Sequence, residues 1–324
     1  MSAGMIKTQV PIADFHCDTA SEMLDGRSLY RNNGMLSIEK MRKGGVFCQF
    51  FAIYINIAKQ GSPSSGYEHF LKIYGNFMKE LNENREHIVP GRGVNDISSA
   101  RSNGRIAAIL TLEEGAILDN KPERVDELYD MGVRLITLTW NHENCIGFPN
   151  STEPELMKKG LKPFGKLVVE RMQELGMLVD VSHLSDGGFW DVAELGKKPF
   201  IASHSNARSL CNHTRNLTDE MLKALADAGG VTGINFYHKF LGYDETGSLD
   251  QMTAHIKHIY KVAGLDVVAL GSDFDGFTGP CELQDCSQFP LLLDALARAG
   301  FKDDEIEKIC WKNAMRVIEQ GTGS

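Results

Sequence analysis

No stretch of the 324 residues approaches the roughly 20 consecutive apolar residues that a membrane-spanning helix requires, which excludes an integral helical membrane protein. The first residues, Met1-Ser2-Ala3-Gly4-Met5-Ile6-Lys7, lack the apolar core of a secretion signal, so the expectation is a soluble, cytoplasmic protein. Positive charge is in deficit. The formal net charge is −9 and no local basic patch offsets it, which argues against nucleic-acid or anionic-membrane partners. Paired cysteines are missing too. The seven cysteines (17, 48, 145, 211, 281, 286 and 310) are odd in number and scattered without CxxC spacing, so they predict reduced thiols rather than a disulfide framework or a cysteine zinc site. The closest pair, Cys281 and Cys286, reads as part of a surface loop. No internal repeat or low-complexity linker divides the chain.

What the sequence does contain is a regular succession of short apolar runs and amphipathic segments. Strands are predicted over residues 12–16, 46–55, 106–113, 133–140, 177–183, 200–204, 231–236 and 267–273. Helices are predicted over 37–42, 67–83, 122–131, 163–175, 186–195, 218–228, 249–263 and 290–299, with a closing helix over 303–319. Each strand is short and apolar, as parallel strands covered on both faces are. Eight strand-helix units imply an α/β fold, a (β/α)8 TIM barrel occupying residues 1–324 as one domain, with loop insertions over 56–65 and 148–160.

In such barrels the functional face lies at the C-terminal ends of the strands, so a ligand-type residue that ends an apolar run is a site candidate. Five runs end this way. His16 and Asp18 follow the first; Glu113 ends Ile109-Leu110-Thr111-Leu112-Glu113; His183 ends Val179-Asp180-Val181-Ser182-His183; His204 ends Ile201-Ala202-Ser203-His204; Asp273 ends Ala269-Leu270-Gly271-Ser272-Asp273. Residues two apart on a strand share a side, so His16 and Asp18 can converge while Cys17 faces away. A lone strand-end histidine is more often a structural hydrogen-bonding residue, and a lone carboxylate more often a helix cap. Coincidence at five strand ends favours a metal centre instead. Imidazoles and carboxylates suit zinc, and a carboxylate can bridge two ions, which points to a binuclear hydrolase. By the same alternation only one of Glu113 and Glu114 can point inward, and the residues alone leave that choice open. His255, His258, His69, His87 and His238 read as solvated surface residues.

Taken in order, His16-Cys17-Asp18, Leu112-Glu113-Glu114-Gly115, Ile136-Thr137-Leu138-Thr139, Gly160-Leu161-Lys162-Pro163-Phe164-Gly165, Asp180-Val181-Ser182-His183, Ser203-His204-Ser205, Arg215-Asn216, Asn235-Phe236-Tyr237 and Gly271-Ser272-Asp273-Phe274-Asp275-Gly276 closely resemble the membrane (renal) dipeptidase family of zinc peptidases, family M19. The resemblance covers nearly the whole chain. It implies an amidohydrolase-like barrel holding two zinc ions, one on His16 and Asp18, the other on His183 and His204, with Glu113 rather than Glu114 bridging them. It further implies that a hydroxide between the ions attacks the peptide carbonyl of a dipeptide, that Asp273 shuttles the proton to the leaving amine, and that Arg215 holds the free C-terminal carboxylate. Tyr237 matches a family tyrosine near the substrate.

One departure is plain. Where the mammalian renal enzymes have a substrate-contacting histidine after Leu138-Thr139, this chain has Trp140, with His142 two residues later. His142 is therefore a candidate to polarise the scissile carbonyl and bind substrate in its place. The absence of a signal peptide and lipid-anchor tail makes the chain similar to soluble bacterial-type members. The family further suggests a homodimer and permits a D-residue at the C-terminal position or the opening of a β-lactam ring. Two other classes fit less well: a cyclic-amide hydrolase or deaminase on the same barrel, whose uncharged substrate would give Arg215 nothing to hold, and a non-catalytic metal-binding barrel, which would have no use for Asp273.

Overall fold

The computed structural model describes residues 10–243 and 246–323. The Met1–Lys7 segment considered above lies outside them. Among the described residues nine strands form, β1 (Ile12–Asp14), β2 (Val46–Tyr54), β3 (Ile88–Pro90), β4 (Ile106–Glu113), β5 (Val133–Thr137), β6 (Leu178–Asp180), β7 (Ile201–Ala202), β8 (Val231–Ile234) and β9 (Val268–Leu270). Every pairing is parallel. Eight of them close a ring in the order β1-β2-β4-β5-β6-β7-β8-β9 and back to β1. Helices alternate with the strands around the outside, which makes the architecture the expected (β/α)8 barrel. No helix among the described residues is long and apolar enough to cross a membrane.

Side-chain alternation along β4 shows how the sequence builds this. Ala107 and Ile109 join an apolar cluster with Leu135, Leu178, Ile201, Val231 and Ala269 from five other ring strands, which is the barrel interior. Ile106, Ala108, Leu110 and Leu112 belong instead to the larger core between strands and helices. Continuing the inner face through Thr111 brings Glu113 to the open end of the barrel. Ala314, Val317 and Ile318 of the closing helix Asn313–Thr322 pack on the interior cluster from the other end.

Helix starts follow serine and threonine caps. Ser37, Ser62, Ser185, Thr218 and Ser248 each accept a backbone N–H in the first turn of the helix that follows, and Ser248 with Gln251 completes a capping box.

Several elements differ from expectation. β3 and the helix Val94–Ser102 were not predicted; β3 is three residues ending in proline, paired only with the start of β4 before β5 takes over that edge at Leu110. The apolar run of β3 is cut short by Pro90 and Gly91, and proline suits an edge. Most predicted strand ends also ran too far, because the ligand-type residues other than Glu113, which ends β4 as predicted, lie just beyond the ladders rather than in them. Cys281 and Cys286 are buried, not on a surface loop. His255 is fully buried, receiving Ala207 N–H on Nδ1 at 3.1 Å and donating from Nε2 to the Leu241 carbonyl at 3.0 Å. His238 is buried as well, against the ring of Tyr237. Both were expected on the surface; the single histidine in an amphipathic pattern does not reveal which face it takes.

β8 and β9 approach so closely that two interior positions tolerate only glycine. A Cβ on Gly271 would overlap the Ser203 carbonyl oxygen and lie 3.1 Å from the Cα of Gly233. The substitution Gly271→Ala is therefore expected to destabilise the protein by about 3 kcal/mol through overpacking. Gly75→Ala, in the exposed interior of the helix Pro63–Glu83 with nothing within 4 Å of the added carbon, is expected to stabilise it by about 0.5–1 kcal/mol. Urea unfolding of the two variants checks the opposite signs.

Candidate metal centre

Six side chains from five strand ends meet at the mouth of the barrel. Glu113, the last residue of β4, is buried with its two carboxylate oxygens facing different imidazoles. Oε2 lies 3.5 Å from His16 Nε2, while Oε1 lies 3.1 Å from His183 Nε2 and 3.6 Å from His204 Nε2. Asp18 Oδ2 is 3.5 Å, and Asp273 Oδ1 3.8 Å, from His16 Nε2. Two donor sets result, His16 with Asp18 and Glu113, and His183 with His204 and Glu113; a third grouping joins Asp273 to His16 and His204. Cys17 turns the other way, toward the Phe50 carbonyl. Glu114 also turns away and accepts hydrogen bonds from Asn144 and from the backbone of Ala116 and Trp140, so alternation assigns the inward role to Glu113.

The second donor set is held in a defined protonation state. His204 Nδ1 donates to Ser203 Oγ at 2.7 Å, because that hydroxyl gives its own proton to Asp180 Oδ2 at 2.6 Å. His183 Nδ1 donates to Asn141 Oδ1 at 3.0 Å. Both Nε2 atoms are then lone-pair acceptors, and they face each other across 3.1 Å beside the Glu113 carboxylate. Burial and the nearby Arg215 guanidinium keep both imidazoles neutral, pushing His183 down to about 4. Lone pairs converging this way demand a cation. Two nitrogens on one tetrahedral zinc would be about 3.4 Å apart, close to the observed spacing. On the other side, burial opposes charge on His16, but Glu113 and Asp18 prevail and hold its pKa well above the ordinary value. Asp18 Oδ1, Glu113 Oε1 and His16 Nε2 have no hydrogen-bond partner despite being buried. The donor set therefore fits a metal centre.

Asp273 sits at the rim of this group, its Oδ2 accepting from Asn235 Nδ2 at 2.9 Å. Burial raises its carboxyl to about 7. Backbone geometry at these ends is unusual: His183, Asp273 and Asp275 adopt φ of 67°, 64° and 65°, the left-handed region that non-glycine residues rarely occupy outside functional turns. Asp275 pins its turn by accepting from Thr19 Oγ1 and the Met35 N–H, both at 2.6 Å.

Above the ligands lies a cavity of about 490 Å³ lined in part by Asp18, Glu113, His183 and Asp273, with an aromatic wall that includes Tyr54, Trp140 and Tyr237. Tyr237 is thus placed on the site. Arg215 is buried just behind, under the ring of Phe240, donating to Ser205 Oγ at 3.1 Å and the His204 carbonyl at 3.2 Å while its Nε has no partner. Burial lowers its pKa to about 10, which leaves it charged at neutral pH. His142 is not brought to the cavity: it is exposed and stands edge-on to Trp140, and the residues that reach the site from this loop are Trp140 and Asn141. A wider groove of about 900 Å³, running from Ile57 to Phe164, holds none of these ligands.

Sequence reasoning missed Asn141, Tyr54 and Glu22, which line the cavity without any ligand signature. It also passed over Asp14 and Asp180. Each interrupts or ends an apolar run, the signal that could have found them, and each ties neighbouring strand ends: Asp14 accepts from Gln49, Ser272 N–H and Ser272 Oγ, and Asp180 from Thr137, Ser182 and Ser203.

A parallel barrel with buried imidazoles and carboxylates at its C-terminal mouth defines a metal-dependent hydrolase. The model of the membrane dipeptidase family, peptidase family M19, matches residues 1–322, and the chain belongs to that family of metallo-dipeptidases. It is 36% identical over 234 residues to a Klebsiella pneumoniae protein described as an uncharacterized protein in the pqqA 5′ region, covering 69% of this chain and 85% of that one. It is 34% identical over 304 residues to the uncharacterized dipeptidase C965.12 of Schizosaccharomyces pombe, covering 88% and 72%. Among solved structures, dipeptidase AC, a metallopeptidase of family M19, superposes with a TM-score of 0.88 at 26% identity over 98% of this chain and all of that one. A Rhodobacter sphaeroides metallopeptidase liganded with a phosphinate mimic of the dipeptide L-Ala-D-Ala has the same fold, with a TM-score of 0.87 at 24% identity over 97% of this chain and 100% of its own.

A Cβ on Gly276 would overlap the carboxylate oxygens of both Asp18 and Asp273. Zinc added to chelator-treated protein is expected to raise the thermal midpoint by several degrees, about 2.7 kcal/mol of stabilisation at a hundredfold excess over Kd. In Glu113→Ala and Gly276→Ala the zinc-induced rise should shrink or vanish. Differential scanning calorimetry with and without zinc checks this.

Proposed function

We propose that this protein hydrolyses the peptide bond of dipeptides bearing a free C-terminal carboxylate, using two zinc ions, one on His16 and Asp18, one on His183 and His204, with Glu113 between them. The observation that carries this reading is the split orientation of the Glu113 carboxylate, one oxygen toward each histidine group. Bound there, the metals would polarise the scissile carbonyl and acidify a water to titrate near neutral pH.

The remaining work falls to the chain. Asn141 and Ser203 fix the tautomers of His183 and His204, so that both present Nε2 to the centre. Asp273, oriented by Asn235 and open to the cavity, takes a proton from the attacking water and delivers it to the nitrogen of the departing amine. Arg215 supplies a buried positive charge and an unpartnered Nε donor for the terminal carboxylate. Tripeptides and amidated dipeptides place no carboxylate within its reach. Tyr237 contributes an aromatic face beside that end of the substrate. Acceptance of a D-residue at the C-terminal position is part of the proposal, supported by the L-Ala-D-Ala mimic held by the Rhodobacter sphaeroides relative.

Steady-state kinetics of the zinc-loaded protein on L-Ala-L-Ala, L-Ala-D-Ala, the corresponding tripeptides and the C-terminal amides tests it. Cleavage confined to free-carboxylate dipeptides is expected; equal cleavage of the amides would remove Arg215 from its role, and no cleavage of any dipeptide would overturn the reading. Asp273→Asn is expected to lower kcat by about 10²–10⁴ while zinc content, measured by elemental analysis, stays at the wild-type level.

A further inference from the structure

The acidic lining of the cavity above the metal centre includes a carboxylate that the reaction does not use. Among the described residues the cavity's charged lining is acidic throughout, from Asp18, Glu22, Glu113, Asp273 and Asp275, with no lysine or arginine. Asp18 and Glu113 belong to the donor sets, and Asp273 to the proton transfer. Asp275 is committed to Thr19 and the Met35 N–H. Glu22 remains. It stands on the short helical turn Ser21–Met23 that follows β1, with its side chain about half exposed to solvent. Its one ion-pair partner among the described residues, Arg27, is 3.9 Å away and is drawn toward Asp25 as well, at 3.5 Å. A surface pair at that distance is worth little and yields readily to a better-placed cation.

Beside Glu22 the cavity wall is aromatic. Tyr54 at the end of β2 and Trp140 after β5 meet edge to face with ring centroids 4.9 Å apart, and both line the same space. The turn bearing Glu22 is fastened to Tyr54, whose N–H donates to Ser21 Oγ at 2.7 Å. Two aromatic rings and a carboxylate lining one cavity can receive a long cationic side chain, whose methylenes lie on the rings while the charge reaches the carboxylate.

Topology says which end of the substrate meets this wall. In the ring of eight strands β2 lies diametrically opposite β7. Arg215 stands over β7, bonded to the His204 carbonyl and to Ser205. A dipeptide whose C-terminal carboxylate is directed to Arg215, with its amide over the Glu113 centre between, extends its N-terminal residue toward β1 and β2. That residue meets Glu22, Tyr54 and Trp140.

We propose that Glu22, with Tyr54 and Trp140, forms a subsite selecting dipeptides whose N-terminal residue carries a cationic side chain, lysine or arginine, and disfavouring an acidic one. The proposal rests on the dipeptidase reading above, and the test separates the two. Values of kcat/KM are measured for L-Lys-L-Ala, L-Leu-L-Ala and L-Glu-L-Ala with zinc-loaded wild type, Glu22→Gln and Glu22→Lys. The exposed position lets both variants fold. In the wild type the Lys-to-Glu ratio is expected to be at least tenfold; it should fall toward one in Glu22→Gln and invert in Glu22→Lys. Raising the salt concentration should narrow the wild-type ratio, since the attraction at a half-exposed carboxylate is screened. Ratios that are the same in all three proteins, with L-Leu-L-Ala cleaved normally, would overturn the subsite while leaving the dipeptidase intact. No cleavage of any of the three by the metallated wild type would overturn the dipeptidase reading, and the subsite with it.

Discussion

The carboxylate of Glu113 is almost wholly buried, between imidazoles contributed by three other strands. A charge so placed is tolerated only if cations or strong donors surround it, since moving an unpaired carboxylate out of water costs several kcal/mol or more. The rest of the mouth follows from that constraint. His16 and Asp18 must come from β1, His183 from β6 and His204 from β7, and the barrel must close for these distant segments to meet. The barrel supplies the convergence; the buried charge makes the convergence a binding site rather than a packed core.

Positioning of this quality is not left to the ligands. Asp180 fastens β5, β6 and β7 through Thr137, Ser182 and Ser203, and through Ser203 reaches His204. Asp14 joins β1 to Gln49 of β2 and to Ser272 beyond β9. Each carboxylate is fully buried with several donors, so the network is satisfied where the ligands themselves are not. Left-handed φ at His183, Asp273 and Asp275 then turns the chain sharply at the moment the strand ends, at a cost on the order of 1 kcal/mol each that the surrounding hydrogen bonds offset. Gly276 completes the arrangement by leaving room for two carboxylates that any side chain would displace.

Much of this was written plainly in the sequence. Apolar runs ending in histidine or carboxylate marked the ring strands and most of the ligand candidates, because a buried strand must be apolar while its end need not be. Alternation separated Glu113 from Glu114 only once the inner face of β4 was known, which required the neighbouring strands. β3 was silent because its apolar run, Ile88-Val89, is cut short by Pro90 and Gly91, whereas the other short strands sit in longer apolar runs. Asn141 and Glu22 were silent for another reason: each lies in a turn, where sequence pattern does not say which way a side chain points. His142 was the candidate to replace the family histidine because imidazole was the expected chemistry, yet the loop turns it to solvent and brings the amide of Asn141 to His183. His255 shows the same limit on a helix, where one polar residue among apolar neighbours was read as surface and is held inside by two backbone groups.

The direct pairing of β1 with β9 has a consequence for how the protein is made. His16 is among the first residues of the barrel to leave the ribosome, whereas Asp273, only 3.8 Å from it in the finished molecule, is among the last, and the ring has no closed form until β9 arrives. His16 and Asp273 cannot meet in a nascent chain. A translation product truncated before β9 would carry all five proposed metal ligands and still lack the closed mouth that brings them together.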